Sequence, residues 1–144
     1  MLDQILVGSA TSLLNLVIHA VMLAVVARTV AELSSRSAKA PHILQDILVI
    51  VAIGTLLVMT HFLEVLVWAG TYALFDVAPP GTDLVYFAFG NYTTLGFGDV
   101  LPLPHRRLLA PMTALNGILL IGWSTALVVA ILRRSVPAKD ESRA

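Results

Sequence analysis

Three apolar segments dominate this chain, and each is long enough to cross a lipid bilayer. They run over residues 5–30, 43–75 and 108–132. As α-helices they would measure about 39, 50 and 37 Å, against about 30 Å for the hydrocarbon core of a membrane. The lengths predict an all-α membrane protein with three transmembrane helices, placed as a multi-pass protein in the cell (inner or plasma) membrane.

The composition agrees with a membrane protein and limits its partners. Apolar residues make up 58% of the chain and charged residues 12%, against about 45–50% and about 25% in soluble domains. The net charge is zero and there is no cysteine, so nothing suggests a nucleic-acid partner, a disulfide or a thiolate metal site. The lipid bilayer is the expected partner, and no soluble partner or cofactor is evident. The N-terminus lacks the basic region of a signal peptide, so we expect the first segment to be retained.

A shorter element lies between the second and third segments. The run Pro79-Pro80-Gly81 breaks the preceding helix, and Thr82 or Asp83 can then cap a new one. Residues 83–93 would form a helix of about 16 Å, too short to span a membrane. This length is typical of a re-entrant helix. Irregular backbone at membrane depth is tolerated only where protein encloses it or where it lines water.

The residues that follow alternate glycine with larger side chains, reading Thr93-Thr94-Leu95-Gly96-Phe97-Gly98-Asp99. Because Gly96 and Gly98 carry no Cβ, they can take unusual dihedral angles that let successive carbonyls point the same way. Four such strands around an axis would form stacked rings of oxygen that replace the water around a cation.

This run resembles the signature of potassium channels, with Leu95 for the usual Val or Ile and Phe97 for the usual Tyr. The resemblance covers roughly residues 45–133. It implies a pore domain over 43–134, with an outer helix at 43–75, a pore helix at 83–93, a filter at 94–99 and an inner helix at 108–132. Residues 1–42 would then be an additional transmembrane helix with a cytoplasmic linker, and 135–144 a cytoplasmic tail.

The resemblance implies a potassium-selective channel and not an enzyme. Dehydrated K+ would be held by the carbonyls of the filter residues and by the Thr94 hydroxyl; these residues are Thr94, Leu95, Gly96, Phe97 and Gly98. One pore loop per chain means that four chains are needed, so we expect a homotetramer with a fourfold axis. Two alternatives stay open: a cation channel of the same architecture with poor selectivity, and a transporter that uses His61 and Glu64.

The surroundings of the filter depart from the family pattern. Tyr86 and Phe87 occupy positions that are often tryptophan, and Gly90 stands where some members place a glutamate. We expect Tyr86 to donate a hydrogen bond to Asp99. Phe87 and Phe97 both lack a polar group, so we expect an apolar contact between them in place of a hydrogen bond. Leu95 is less stiff at χ1 than valine, which motivates the poorly selective alternative.

The inner helix also resembles the family. Gly117 and Gly122 match glycines at which inner helices bend, although glycine also permits close packing. Four residues at helical spacing are predicted to line the cavity and the inner gate, with apolar rings that close by dewetting: Ile118, Ile121, Thr125 and Val129. Ordinary lipid or helix contact is the alternative.

Two polar pairs lie inside apolar segments. Asn15 and His19 share one face of the first helix, and we expect them to bond each other or neighbouring backbone; a polar pair at a helix contact or water pocket is the alternative. His61 and Glu64 share a face of the second helix, and we expect a hydrogen-bonded pair turned toward the pore helix or a neighbouring subunit. Two ligands are too few for a metal site, and a proton relay is an alternative.

The basic residues set the orientation. The polar stretch 28–42 contains three basic residues and one acid, which predicts the cytoplasmic side. The N-terminus and the re-entrant loop would then face outside, and the C-terminus inside. His105, Arg106 and Arg107 run against this tendency and are expected to anchor the last helix at the headgroups.

Overall fold

The described part of the chain is entirely helical. The computed structural model describes residues 1–36 and 43–135, and in these ranges there is no β-strand. Its four α-helices are α1 (Leu2–Arg36), α2 (Ile43–Leu74), α3 (Leu84–Tyr92) and α4 (Leu109–Ser135), with a 3-10 turn at Pro104–Arg106 before α4. By length and composition three stretches can cross a membrane: Leu2–Thr29, Ile47–Leu74 and Pro104–Ile131. The prediction of an all-α protein with three transmembrane helices agrees with this architecture.

The predicted boundaries match the observed helices except at the end of the first one. The helices expected at 43–75, 83–93 and 108–132 begin and end within three residues of those positions. The first apolar segment was expected to end at residue 30 and to be followed by a linker, but α1 continues to Arg36, so that prediction was wrong over residues 31–36. No proline or glycine occurs between Arg28 and Arg36, and the first helix breaker is Pro41. Residues 37–42, the end of the predicted linker, lie outside the described residues. So do residues 136–144, which are all but the first residue of the predicted tail.

The additional first helix is an integral part of the bundle. α1 packs against both α2 and α4, while α3 lies between α2 and α4. The larger apolar core surrounds α3 and contains the fully buried side chains of Trp68, Tyr72 and Leu109. A smaller cluster of Val26, Ile53 and Leu57 joins α1 to α2 at the other end of the bundle, with part of α4 packed against it.

Polar contacts at one end of the bundle fix the direction of α1. Arg106 Nη1 lies 2.6 Å from Asp3 Oδ2, and the backbone N–H of Leu108 donates to Gln4 Oε1 at 3.0 Å. The N-termini of α1 and α4 are therefore at the same end, and the two helices run parallel. This is the relation that the predicted topology requires, and it gives Arg106, which ran against the charge rule, a carboxylate partner.

Candidate functional site

The short helix α3 begins at an aspartate cap. Asp83 has extended backbone angles, and its Oδ1 accepts hydrogen bonds from the backbone N–H groups of Val85 at 3.0 Å and Tyr86 at 3.1 Å. These are groups that a helix leaves without partners inside its first turn. Of the two caps that the sequence allowed, Asp83 and not Thr82 takes the role. The cap fixes where α3 begins. The start of the helix in turn sets the position of its last residue, Tyr92, and of the residues that follow it.

The glycine-containing run leaves α3 with backbone angles that ordinary residues avoid. Gly96 has φ +53° and Gly98 has φ +80°, so the unusual dihedral angles predicted for these two residues are confirmed. Thr94 also has a positive φ, of +60°, which the sequence did not signal. The backbone N–H of Gly96 donates to the carbonyl of Gly90 at 3.3 Å. This bond holds the run against the last turn of α3.

The same run is open to its surroundings. All residues from 93 to 99 are exposed in the single chain, and the apolar side chains of Leu95 and Phe97 are 58% and 68% exposed. The run is therefore not packed inside its own helices, which leaves it free to face copies of itself.

The side chain of Tyr86 on α3 contacts two residues of the glycine-containing run. The hydroxyl of Tyr86 donates to Asp99 Oδ2 at 2.8 Å, as predicted, and this hydrogen bond to the carboxylate raises the pKa of Tyr86. The Tyr86 ring also stacks on Phe97, with centroids 6.5 Å apart and planes 7° from parallel. Phe87 packs instead on Tyr72, at 5.3 Å between centroids. The ring that lies on Phe97 is thus Tyr86, where the sequence suggested Phe87.

On α4, the four positions predicted to line a cavity all lie on the open surface of the single chain. Ile118, Ile121, Thr125 and Val129 are exposed. The hydroxyl of Thr125 is bonded to the Ile121 carbonyl one turn earlier, at 2.9 Å. Because the Thr125 hydroxyl has its hydrogen-bond partner within α4, it needs none on another helix. This face of α4 is therefore open to water or to other chains.

The two glycines of α4 have different surroundings. A Cβ added to Gly117 would lie 2.9 Å from the backbone carbon of Tyr92 and 3.1 Å from its Cγ, and closer still to its carbonyl oxygen. A Cβ added to Gly122 would meet nothing within 4 Å. At Gly117, α4 therefore lies so close to the end of α3 that a Cβ would contact its backbone. A bend at either residue stays a prediction, but Gly117 has a packing role that Gly122 lacks.

Beneath the run, four helices place polar groups around one buried carboxylate, that of Glu64. His19 Nδ1 lies 2.8 Å from Glu64 Oε1, His61 Nδ1 lies 3.0 Å from Glu64 Oε2, and the Tyr92 hydroxyl donates to the same Oε2. Ser124 of α4 bonds the far nitrogens of both histidines, at 3.0 Å from His61 Nε2 and 3.4 Å from His19 Nε2. We call these five residues the Glu64 cluster.

The Glu64 cluster confirms one expectation and corrects another. His61 and Glu64 do form a hydrogen-bonded pair turned toward the pore helix, through Tyr92. Asn15 and His19 do not bond each other: Asn15 Nδ2 donates to the Glu64 carbonyl and to Asn116 Oδ1, at 3.2 and 3.1 Å, and His19 bonds Glu64. A helix–helix contact offers these side chains partners that their own helix backbone, already fully bonded, cannot.

A second set of buried polar groups was missed altogether. Asn116 Oδ1 also accepts from Trp68 Nε1 at 3.0 Å, and the Tyr72 hydroxyl lies 2.6 Å from Thr113 Oγ1. The sequence carried a signal for this face: Thr113, Asn116 and Ser124 are spaced by 3 and 8 residues inside an otherwise apolar helix, which places them on one side. Polar side chains in transmembrane helices turn toward other helices.

Comparison with known proteins supports the architecture just described. A family model described as an ion channel matches residues 47–134, which is more than half of the chain and contains α3, the glycine-containing run and nearly all of α2 and α4. No curated protein and no solved structure matches the chain. The chain belongs to the ion channel family whose domain has two transmembrane helices and a pore loop, the potassium channel family.

Proposed function

We propose that four copies of this chain form a potassium-selective channel in the cell membrane, with α3 as a re-entrant pore helix and residues 94–98 as the filter. The observation that carries the proposal is the exposed run with positive φ at Thr94, Gly96 and Gly98, tied to the end of α3. Membership of the ion channel family supports it independently.

Backbone carbonyls account for how the ion would pass. Neutral oxygens bind a cation strongly enough to replace its water, and weakly enough to release it when the next ion arrives. The ligands would be the carbonyls of Thr94, Leu95, Gly96 and Phe97, with the Thr94 hydroxyl at the inner end. One chain supplies one quarter of each ring, which is why the proposal requires a tetramer. The bond from Tyr86 to Asp99 would hold the mouth of the filter in place.

The exposed face of α4 supports the path below the filter. Ile118, Ile121, Thr125 and Val129 would line the cavity and the gate, since they share one open face of the helix that follows the filter. The C-terminal end of α3 would direct the negative end of its dipole toward a cation in this cavity.

Bi-ionic recordings of the purified protein in planar bilayers test the proposal. With K+ on one side and Na+ on the other, we expect a reversal potential far from zero, set by K+. Gly96→Ala should abolish or strongly reduce the current, because a Cβ strains the φ of +53° and disturbs the carbonyl ring.

Gly81→Ala is the matched control. Gly81 also has a positive φ, +83°, and a Cβ there also meets nothing within 4 Å, but it lies in the turn before α3. The Gly81→Ala protein should conduct as the wild type does. A current unaffected by Gly96→Ala would contradict the carbonyl mechanism. A reversal potential near zero in the wild type would favour the poorly selective cation channel.

The transporter alternative assigns the transport function to different residues. It needs His61 and Glu64 to bind or relay the transported species. If the protein is a transporter, replacing both by apolar residues should end the flux. If ions pass along the fourfold axis of a channel, the protein that still assembles should keep its unitary conductance.

A further inference from the structure

The Glu64 cluster contains a set of side chains that suits a transition metal ion. Two imidazoles and one carboxylate, from His19, His61 and Glu64, present ligand atoms that all lie within 4.8 Å of one another. Zinc in proteins takes nitrogen and oxygen ligands of these kinds in tetrahedral geometry. Sequence alone offered only the pair on α2, which is too few; the third ligand comes from α1, 42 positions away from His61 along the chain.

The distances are close to what a tetrahedral ion requires. Ligand atoms around Zn²⁺, each about 2.0–2.1 Å from the metal, lie about 3.3 Å apart. Here His19 Nδ1 and His61 Nδ1 lie 2.8 and 3.0 Å from the two carboxylate oxygens. The Tyr92 oxygen lies 2.9 Å from His61 Nδ1 and is the fourth group of the set. To hold an ion, each imidazole has to move away from the carboxylate by only a few tenths of an ångström. The Tyr92 hydroxyl, which contacts Glu64 Oε2 more closely, has to move further.

The orientation of the imidazoles is already fixed from the far side. Ser124 Oγ bonds the Nε2 atoms of both rings, so the Nδ1 atoms face the carboxylate. Metal-ligating histidines usually have a partner on the other ring nitrogen that sets the ring orientation. One hydroxyl on α4 serves both rings here. A preformed outer partner of this kind distinguishes a built site from two histidines that are merely neighbours.

The charge of the site also favours a cation. Glu64 is fully buried, and its contacts among the described residues are two imidazoles and a phenol, with no arginine or lysine. An unbalanced carboxylate inside a membrane is expensive. His61 gives access, because its side chain is 20% exposed while those of His19 and Glu64 are buried. Mg²⁺ and Ca²⁺ prefer sites built from oxygen atoms, so imidazole ligands select a transition metal.

We propose that His19, His61 and Glu64, with Tyr92 as the fourth group, bind one Zn²⁺ or similar divalent transition ion per chain. The ion would join α1 and α2 to the last residue of α3, directly before Thr93 and the filter. Binding is independent of the proposed function. Only its effect on current, a change in open probability at a fixed K+ gradient, rests on that function.

Tag-free protein, stripped with a chelator and held in detergent, tests the site. Calorimetric titration with Zn²⁺ should give one ion per chain, and Co²⁺ should give the visible absorption of a tetrahedral complex. His19→Gln and His61→Gln should each weaken Zn²⁺ binding by about 100-fold or more, beyond the loss expected from an outer partner. His105→Gln is the matched control, since His105 is exposed in the 3-10 turn and should leave the affinity unchanged.

A variant outside the ligand set keeps the test decisive if a ligand variant does not fold. Ser124→Ala leaves all four ligand groups in place and removes only the partner of the two Nε2 atoms, so Zn²⁺ affinity should fall by about 10–100-fold. Wild-type protein that binds no Zn²⁺, or binding that is equally strong in His19→Gln, His61→Gln or Ser124→Ala, would overturn the proposal. If Zn²⁺ binds as expected while K+ currents are absent, the metal site stands and the proposed function fails.

Discussion

Replacing Gly117 by alanine should push apart α4 and the end of α3. The new Cβ would sit 2.9 Å from the Tyr92 backbone carbon, whereas non-bonded carbons reach their best separation at about 3.5–4.0 Å. The two helices would therefore have to separate by about 0.6–1.1 Å at this point, and the still closer carbonyl oxygen adds to that requirement. Backbone is what the Cβ meets, so no rotamer change can relieve the contact.

The magnitude follows from two opposing effects. Overpacking a core costs about 1–3 kcal/mol, and the better helix propensity of alanine returns about 1 kcal/mol. The difference between the two is a net loss of about 0–2 kcal/mol. Because the Cβ meets backbone, which cannot yield, we expect Gly117→Ala to lower the free energy of unfolding by an amount near the upper end, about 2 kcal/mol. Gly122→Ala has the same propensity gain and no contact within 4 Å, so it should be neutral or stabilising.

Two measurements separate packing from bending. Unfolding of the purified protein by sodium dodecyl sulfate in mixed micelles gives the free energies, and bilayer recordings give the current. Because Tyr92 leads directly into the glycine-containing run proposed as the filter, the displacement in Gly117→Ala should also reduce unitary conductance. Equal stability of Gly117→Ala and Gly122→Ala, with altered gating in both, would refute the packing argument and favour hinges at both glycines.

Three further predictions concern single polar groups. Asp83→Ala should lower the free energy of unfolding by about 1 kcal/mol, because two N–H groups of α3 lose their cap; no change in micelle unfolding would contradict the capping role. The raised pKa of Tyr86 means that its bond to Asp99 contributes stability fully below pH 10.0, and that this contribution is lost as the pH rises through the higher pKa of the folded state. In a pH series of thermal unfolding, Tyr86→Phe should therefore show a smaller alkaline loss than the wild type; a loss of unchanged size would contradict this role of Tyr86. Asn116→Ala should cost about 1–3 kcal/mol, because Trp68 Nε1 is left buried without its acceptor; Trp68→Phe in that background should then cost less than it does alone.

Much of the fold could be predicted because its signals are local. Apolar length sets the transmembrane helices, α2 ends at Leu74 ahead of the breaker run Pro79-Pro80-Gly81, and Asp83 begins α3. The bond from Tyr86 to Asp99, 13 residues apart, was expected from the resemblance to potassium channels. Helix ends and short-range contacts depend on residues that are close in sequence, so the pattern itself contains the information.

The Glu64 cluster could not be predicted, because its members are far apart along the chain. His19 and Glu64 are 45 residues apart and His19 and Ser124 are 105 apart. Their meeting depends on how α1 docks, and the pore domain alone gives no rule for an additional helix. The role of Gly117 was undecided for the same reason: close packing and bending both suit glycine, and the choice depends on what faces it.

The contacts between α1 and α4 change character along their length. Toward the glycine-containing run the two helices share hydrogen bonds, from Asn15 to Asn116 and between His19 and Ser124. Beyond Ser124 the Val26 cluster adds apolar contacts, and Leu127 packs against it. Sliding α1 along α4 would break the directional bonds between the buried polar groups of the first half. Those bonds therefore lock the register of α4 on α1 beside the run.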